Sequence, residues 1–219
     1  MLLAKPKIKQ SLGLRVLVIN ISFALLAVTI IGVSVYSRVS TTVINEKIAI
    51  SKIETRSALS LTQGHFNISR FQDDTEVRRV VTDFITSVRE DGLLSGRDTV
   101  ILRVPNTSNS KDIYKTIPTV LTEDSIPADF RKQVVESDEV LDMRLDIEYT
   151  NGVVSPGFII GGKLQIPRAG VYEIYFFFNL NAQYQTINSI AWTLFFFGFL
   201  LVLLIGLITR FLIRQVVSP

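Results

Sequence analysis

Ile174–Thr209 reads IYFFFNLNAQYQTINSIAWTLFFFGFLLVLLIGLIT, 36 residues without a charge, closed by Arg210. How this run divides decides the fold. A helix needs about 20 apolar residues to cross a hydrocarbon core of about 30 Å, so the run is too long for one span. It breaks at Asn179-Leu180-Asn181-Ala182-Gln183. Ahead of the break, Val171–Phe178 (Val-Tyr-Glu-Ile-Tyr-Phe-Phe-Phe) is aromatic and β-branched and follows a turn signal, Pro167-Arg168-Ala169-Gly170. That composition predicts a central strand covered on both faces. Behind the break, Gln183–Ser189 predicts a polar helical lead-in and Ile190–Thr209 a transmembrane helix. Trp192 sits near its outer end, where an amphipathic ring is favoured at the interface.

A second charge-free run, Val16–Tyr36, lies between Arg15 and Arg38. Its 21 residues would rise roughly 32 Å as a helix, which matches the hydrocarbon core. The run exceeds the apolar region of about 7 to 15 residues in a secretory signal, and Tyr36-Ser37-Arg38-Val39 offers no small-residue cleavage site. It is read as an uncleaved anchor. Charge sets the expected orientation. The ends carry Lys5, Lys7, Lys9, Arg15, Arg210 and Arg214 and no acid. Six of the 23 basic residues are thus terminal, leaving 17 against all 20 acidic residues between the spans, a balance of −3. Basic flanks stay in the cytoplasm. The expected organisation is a cytoplasmic basic tail (1–15), a first span (16–36), an extracytoplasmic domain (37–189), a second span (190–209) and a membrane-proximal linker (210–219). The basic balance belongs to membrane flanks rather than to a basic face, which argues against nucleic acid as a partner.

Between the spans, Arg38–Leu61 lacks Gly and Pro, and Val39/Val43, Ile44/Ile48 and Ile50/Ile53 give an apolar stripe at helical spacing. The first span is expected to continue outward as one long helix. A second helix is expected from about Thr75 to Glu90, capped by Asp73 or Asp74 and stopped by Gly92, with Val77, Val80, Val81, Phe84 and Val88 on one face. Thr99–Val104 predicts a short strand, and residues 105–116 a polar, mobile loop. Pro127–Glu136 predicts a short helix with Ser125 as its cap. Leu141, Met143, Leu145, Ile147 and Tyr149 alternate with Asp142, Arg144, Asp146 and Glu148, a strand with one wet face. Asn151-Gly152 is a hairpin turn leading to a strand through Phe158–Ile160, and Gly161-Gly162 marks a bulge or a close backbone approach. The fold class expected is α+β: two transmembrane helices flank a domain with a long N-terminal helix and a small mixed or antiparallel sheet. That succession resembles a PAS-like extracytoplasmic sensor domain.

Chemistry is sparse. His65 is the single histidine and cysteine is absent, so no Cys/His zinc set and no thiolate nucleophile can form. No serine sits in a G-x-S-x-G elbow, and neither G-x-x-x-x-G-K-[ST] nor G-x-G-x-x-G is present. No catalytic, cofactor-binding or metal-binding residue is assigned. Asp138, Glu139 and Asp142, or Asp146 and Glu148, have the oxygen chemistry to hold a hard cation. A solvated face interleaved with Arg144 explains them more simply. Asn67-Ile68-Ser69 and Asn106-Thr107-Ser108 match the glycosylation pattern, which arises often by chance.

Three short stretches carry a family resemblance. Ser11-Leu12-Gly13-Leu14-Arg15-Val16, Val171–Leu180 and Arg214-Gln215-Val216-Val217-Ser218-Pro219 resemble the MtrB group of actinobacterial sensor histidine kinases. The last of these is similar to the opening of a HAMP linker, where a basic stretch after the second span leads into a helix beginning around a proline. The resemblance extends along the chain in architecture, and residues 60–135 carry none of its motifs. It implies a homodimeric receptor whose HAMP body, histidine-bearing helices and kinase domain, with ATP and Mg2+, would follow Pro219. It further implies phosphotransfer to an MtrA-like response regulator, control of envelope and osmotic homeostasis, and a surface lipoprotein partner. Arg15, Arg38, Trp192, Arg210, Arg214 and Pro219 are the residues expected to flank the membrane or transmit the signal. A chemoreceptor, a cyclic-dinucleotide enzyme or a two-span envelope scaffold would suit the same sensory half.

Overall fold

The computed structural model describes residues 12–68, parts of 75–88, 97–104, 121, 123–167 and 170–217. Helix α1 covers Leu12–Ile68 and strand β1 covers Arg97–Arg103. A 3-10 turn at Glu123–Ser125 and helix α2 (Ala128–Glu136) follow. Strands β2 (Leu141–Glu148), β3 (Val154–Ile166) and β4 (Gly170–Asn179) then lead into helix α3 (Asn181–Val217). The architecture is α+β, with two long apolar helices and one four-stranded sheet. The chain divides into two compact units, residues 1–42 with 184–219, and residues 43–183.

In the first unit, α1 and α3 are each long and apolar enough to cross a membrane. Phe23, Ile30 and Val33 on α1, and Phe195, Phe197 and Phe199 on α3, are all more than 60% exposed. An apolar surface of that extent suits lipid rather than water. Thr29, Thr41 and Thr193 donate their hydroxyls to the carbonyls of Leu25, Ser37 and Ser189, one turn back, so these side chains need no water. Gly198 lets the two helices close up: a Cβ there would lie 2.6 Å from Val28 Cγ1.

The second unit is built on the sheet, in the order β1-β4-β3-β2 with every pair antiparallel. Of the two expected sheet types, the antiparallel one is present. β4 lies between β1 and β3, and its residues from Tyr172 to Phe178 are all buried, as the aromatic run predicts. One face of the sheet carries Val100, Leu102, Ile147, Ile159, Tyr175 and Phe177, which pack with Phe130 and Val134 of α2 and with Leu121 and Ile126. The other face carries Phe158, Ile160, Leu164, Tyr172, Ile174, Phe176 and Phe178, all buried, with Phe158 and Phe178 stacked at 4.8 Å. Residues 43–68 of α1 cover it.

The structure corrects the expected cap of α2 and sharpens the other expectations. Ser125 belongs to the 3-10 turn, and the residue preceding α2 is Pro127, so no side chain caps this helix. The β2–β3 connection is a three-residue loop. Tyr149 and Val153 still pair (N–H to carbonyl, 2.9 Å), Gly152 N–H reaches the Tyr149 carbonyl at 2.8 Å, and Gly152 takes φ +78°. β3 runs through Gly161-Gly162 in unbroken register with β4, so the pair is a close approach and not a bulge. A Cβ on Gly161 would lie 2.7 Å from Val134 on α2, and one on Gly162 would lie 2.5 Å from Leu59 on α1. The two glycines admit a helix on each face. Residues 75–76, 79–80, 82–84 and 86–88 are helical, and the ring of Phe84 meets that of Phe66 edge-on at 5.9 Å. The expected cap Asp73 or Asp74, the stop at Gly92, Val77, Val81 and the loop 105–116 lie outside the described residues.

Candidate functional site

The two helices with membrane-crossing character are also the ones joined to the sheet, and the polar chemistry of the second unit gathers at these joints. On the α1 side, Ile44, Ile48, Ser51, Thr55, Leu59 and Phe66 are buried. They recur at intervals of three, four or seven residues and so form one helical face. Ile50 and Ile53, expected on this stripe, are 46% and 66% exposed. Together with Leu61, 72% exposed, they form a second apolar line on the opposite side of the helix. Small side chains replace them at the contact: Ser51 and Thr55 are fully buried, and neither hydroxyl has a hydrogen-bond partner among the described residues. A buried hydroxyl without a partner costs about 1–3 kcal/mol. The joint is close but imperfectly satisfied.

Polar pairs set the register of α1 along β2 and β3. Lys52 Nζ meets Asp142 Oδ1 at 2.5 Å, and the Arg144 guanidinium donates to Asn45 Oδ1. Lys47 lies over the Phe178 ring, 5.7 Å from its centre. The polar face of β2, read from sequence as solvated, is therefore partly taken up by α1. Where β2 no longer flanks β3, Gln63 substitutes for a strand. Its amide nitrogen donates to the Gln165 carbonyl (2.9 Å), and its oxygen accepts the Gln165 N–H (2.8 Å). Beside this contact lies a cleft of about 530 Å³, walled by α1, the 138–140 loop and β3.

The α3 joint is a short polar relay. Asn179 Oδ1 accepts the Asn181 N–H at 2.7 Å, an arrangement that starts α3 with only Leu180 between it and β4. Leu180 N–H donates to the Pro156 carbonyl (2.9 Å), and Asn181 Nδ2 to Ser155 Oγ (3.2 Å). The Tyr149 hydroxyl lies near Asn179 and Asp98. Burial raises the Asp98 carboxyl above its ordinary value, and the neighbouring Tyr149 hydroxyl partly offsets this. Burial likewise raises Tyr149.

Inside the α2 face, Glu173 is 1% exposed and held by Arg131, with Nε to Oε2 at 2.8 Å and Nη2 to Oε1 at 3.3 Å. The Tyr175 hydroxyl donates to Oε2 at 2.7 Å. Burial, then the hydrogen bond to Glu173 and its charge, push Tyr175 far above the usual phenol range. This triad was not legible in the sequence, where Glu173 is a lone acid in an apolar strand.

No protein-family model, curated protein or solved structure matches this chain.

Of the residues singled out from sequence, Arg15 and Arg38 are exposed on α1, and Trp192, Arg210 and Arg214 are exposed on α3. Trp192 packs edge-on against Phe195, 5.9 Å between ring centres. Pro219 lies outside the described residues. His65 is exposed near the end of α1. Asp138 and Asp142 pair with Lys163 and Lys52. Among the described residues, no three His, Asp or Glu side chains gather as a metal site.

Proposed function

We propose that this chain is the signal-input portion of a membrane sensor histidine kinase, with a PAS-like domain outside the membrane and both termini in the cytoplasm. The observation that carries the reading is the pair of helix–sheet joints. The sheet unit is inserted between two apolar helices, and α1 supplies residues both to the membrane-type unit and to the cover of the sheet. A change in how α1 sits on the sheet is thereby coupled to a helix of membrane-crossing character. A stimulus acts by differential affinity for two such seatings, which shifts their populations. Unsatisfied Ser51 and Thr55 lower the stability of the seated state and keep the alternatives within reach.

In this reading the receptor is a homodimer, Arg210 and Arg214 hold α3 at the inner interface, and α3 continues into a HAMP linker. ATP and Mg2+ serve a kinase domain beyond Pro219, which passes phosphate to an MtrA-like regulator. The stimulus is an envelope or osmotic one, with a surface lipoprotein as a further partner. The exposed line Ile50, Ile53 and Leu61 supports self-association through α1.

The chain contains no cysteine, so introduced cysteines report without background. Single cysteines along residues 38–61 should cross-link between copies at positions 50, 53 and 61, and the bridged receptors should show altered autophosphorylation. Unchanged output at every position would sink the reading. A chemoreceptor or a scaffold predicts cross-linking with no phosphorylated histidine.

A further inference from the structure

We infer that the cleft between α1 and the β3 edge is a binding site for a small zwitterion, an α-amino acid. Its volume of about 530 Å³ falls within the range of small-ligand sites. Four charged side chains line it, Arg56 and Lys163 against Asp138 and Glu139, so the cleft is neutral overall but carries both signs. Among the described residues, Arg56 and Glu139 form no ion pair. Lys163 holds Asp138 at 2.9 Å, yet Asp138 is 99% exposed, so this bridge is weak and exchangeable. A ligand carboxylate facing the two cations and an ammonium facing the two acids would satisfy all four. A singly charged ligand would leave one pair unmet. Buried Leu59 and Val140 form an apolar floor against which a ligand side chain can rest.

The walls are preorganised. Gln63 is fixed by its two bonds to the Gln165 backbone, and Lys163 Nζ also donates to the Val135 carbonyl at 3.0 Å. Binding energy is therefore not consumed in ordering Gln63 and Lys163. The cleft draws residues from α1 and from the sheet, so its occupancy favours the seated helix. In that respect the inference rests on the sensor reading, while the binding itself does not require it.

The test is calorimetry on the full chain in lipid nanodiscs, titrated singly with the free L-amino acids to millimolar concentration. The variants are Arg56→Gln and Glu139→Gln, both at exposed positions. At least one amino acid should bind. Arg56→Gln should weaken it about tenfold or more, the loss of a charged hydrogen bond. Glu139→Gln should weaken the amino acid but not its des-amino analogue. Absence of binding by every amino acid, or binding that neither substitution weakens, would overturn the proposal. Binding without any change in kinase output would overturn the sensor reading and leave this site intact.

Discussion

The side-chain amide of Gln63 pairs with the backbone of Gln165, 102 residues away, through two hydrogen bonds of 2.9 and 2.8 Å. A helix residue thus completes the open edge of β3 where β2 no longer flanks it. Each such bond contributes about 1 kcal/mol net, because solvent competes for the same groups. Gln63→Ala should destabilise the sheet unit by about 1–2 kcal/mol. The clearest readout is hydrogen exchange: the Gln165 amide should lose protection while the amides of β4 keep theirs. Equal protection in the variant would show that α1 does not guard this edge.

Ser51 and Thr55 point the other way. Both hydroxyls are buried without a partner among the described residues. Thr55→Val keeps the shape and removes the orphaned group, so it should stabilise the unit by about 1 kcal/mol or more in denaturant unfolding. On the sensor reading, the same substitution holds α1 on the sheet and narrows the receptor's response.

Glu173 is the charge this core can least leave alone. Arg131→Ala strands a buried carboxylate and should cost about 3–5 kcal/mol. Tyr175→Phe removes one neutral donor and should cost about 1 kcal/mol. A double variant, Arg131→Met with Glu173→Met, should recover most of the loss from Arg131→Ala, since no unpaired charge remains. Thermal or denaturant unfolding of the three variants checks the order.

Alkaline stability follows from the tyrosines. Burial raises Tyr149, Tyr172 and Tyr175 above the ordinary phenol value. A phenol whose folded pKa exceeds its unfolded one keeps its proton in the folded state and loses it first in the unfolded chain. Stability is therefore fully present below pH about 10 and falls as pH rises beyond it. Tyr175→Phe should flatten that decline. A melting profile between neutral and strongly alkaline pH, unchanged in slope by the substitution, would contradict this.

Period and composition made some of this legible before any coordinates. The charge-free runs gave two membrane-type helices, the aromatic run gave a strand covered on both faces, and alternation gave β2. The docking face of α1 was not legible for a physical reason. Its buried line passes through Ser51 and Thr55, because a close crossing favours small side chains, while Ile50 and Ile53 face outward. The wet face of β2 was read as solvated because its partners, Asn45 and Lys52, lie some 90 residues away in sequence. The Arg131–Glu173–Tyr175 triad was hidden in the same way, since Glu173 gains its partner only when α2 lies on the sheet. Gly161-Gly162 signalled closeness, and only the fold decides that two helices, one on each face, require it.

The seating of α1 on the sheet is the centre of the account, and Lys52 and Asp142, 2.5 Å apart, mark it. On the sensor reading proposed above, Lys52→Cys with Asp142→Cys would be bridged by a short bismaleimide in the proposed receptor and autophosphorylation recorded with and without the bridge. Bridging should fix the rate at one level, several-fold from the unbridged protein and insensitive to osmotic shift. Equal rates and an equal response in the bridged and unbridged receptors would contradict it.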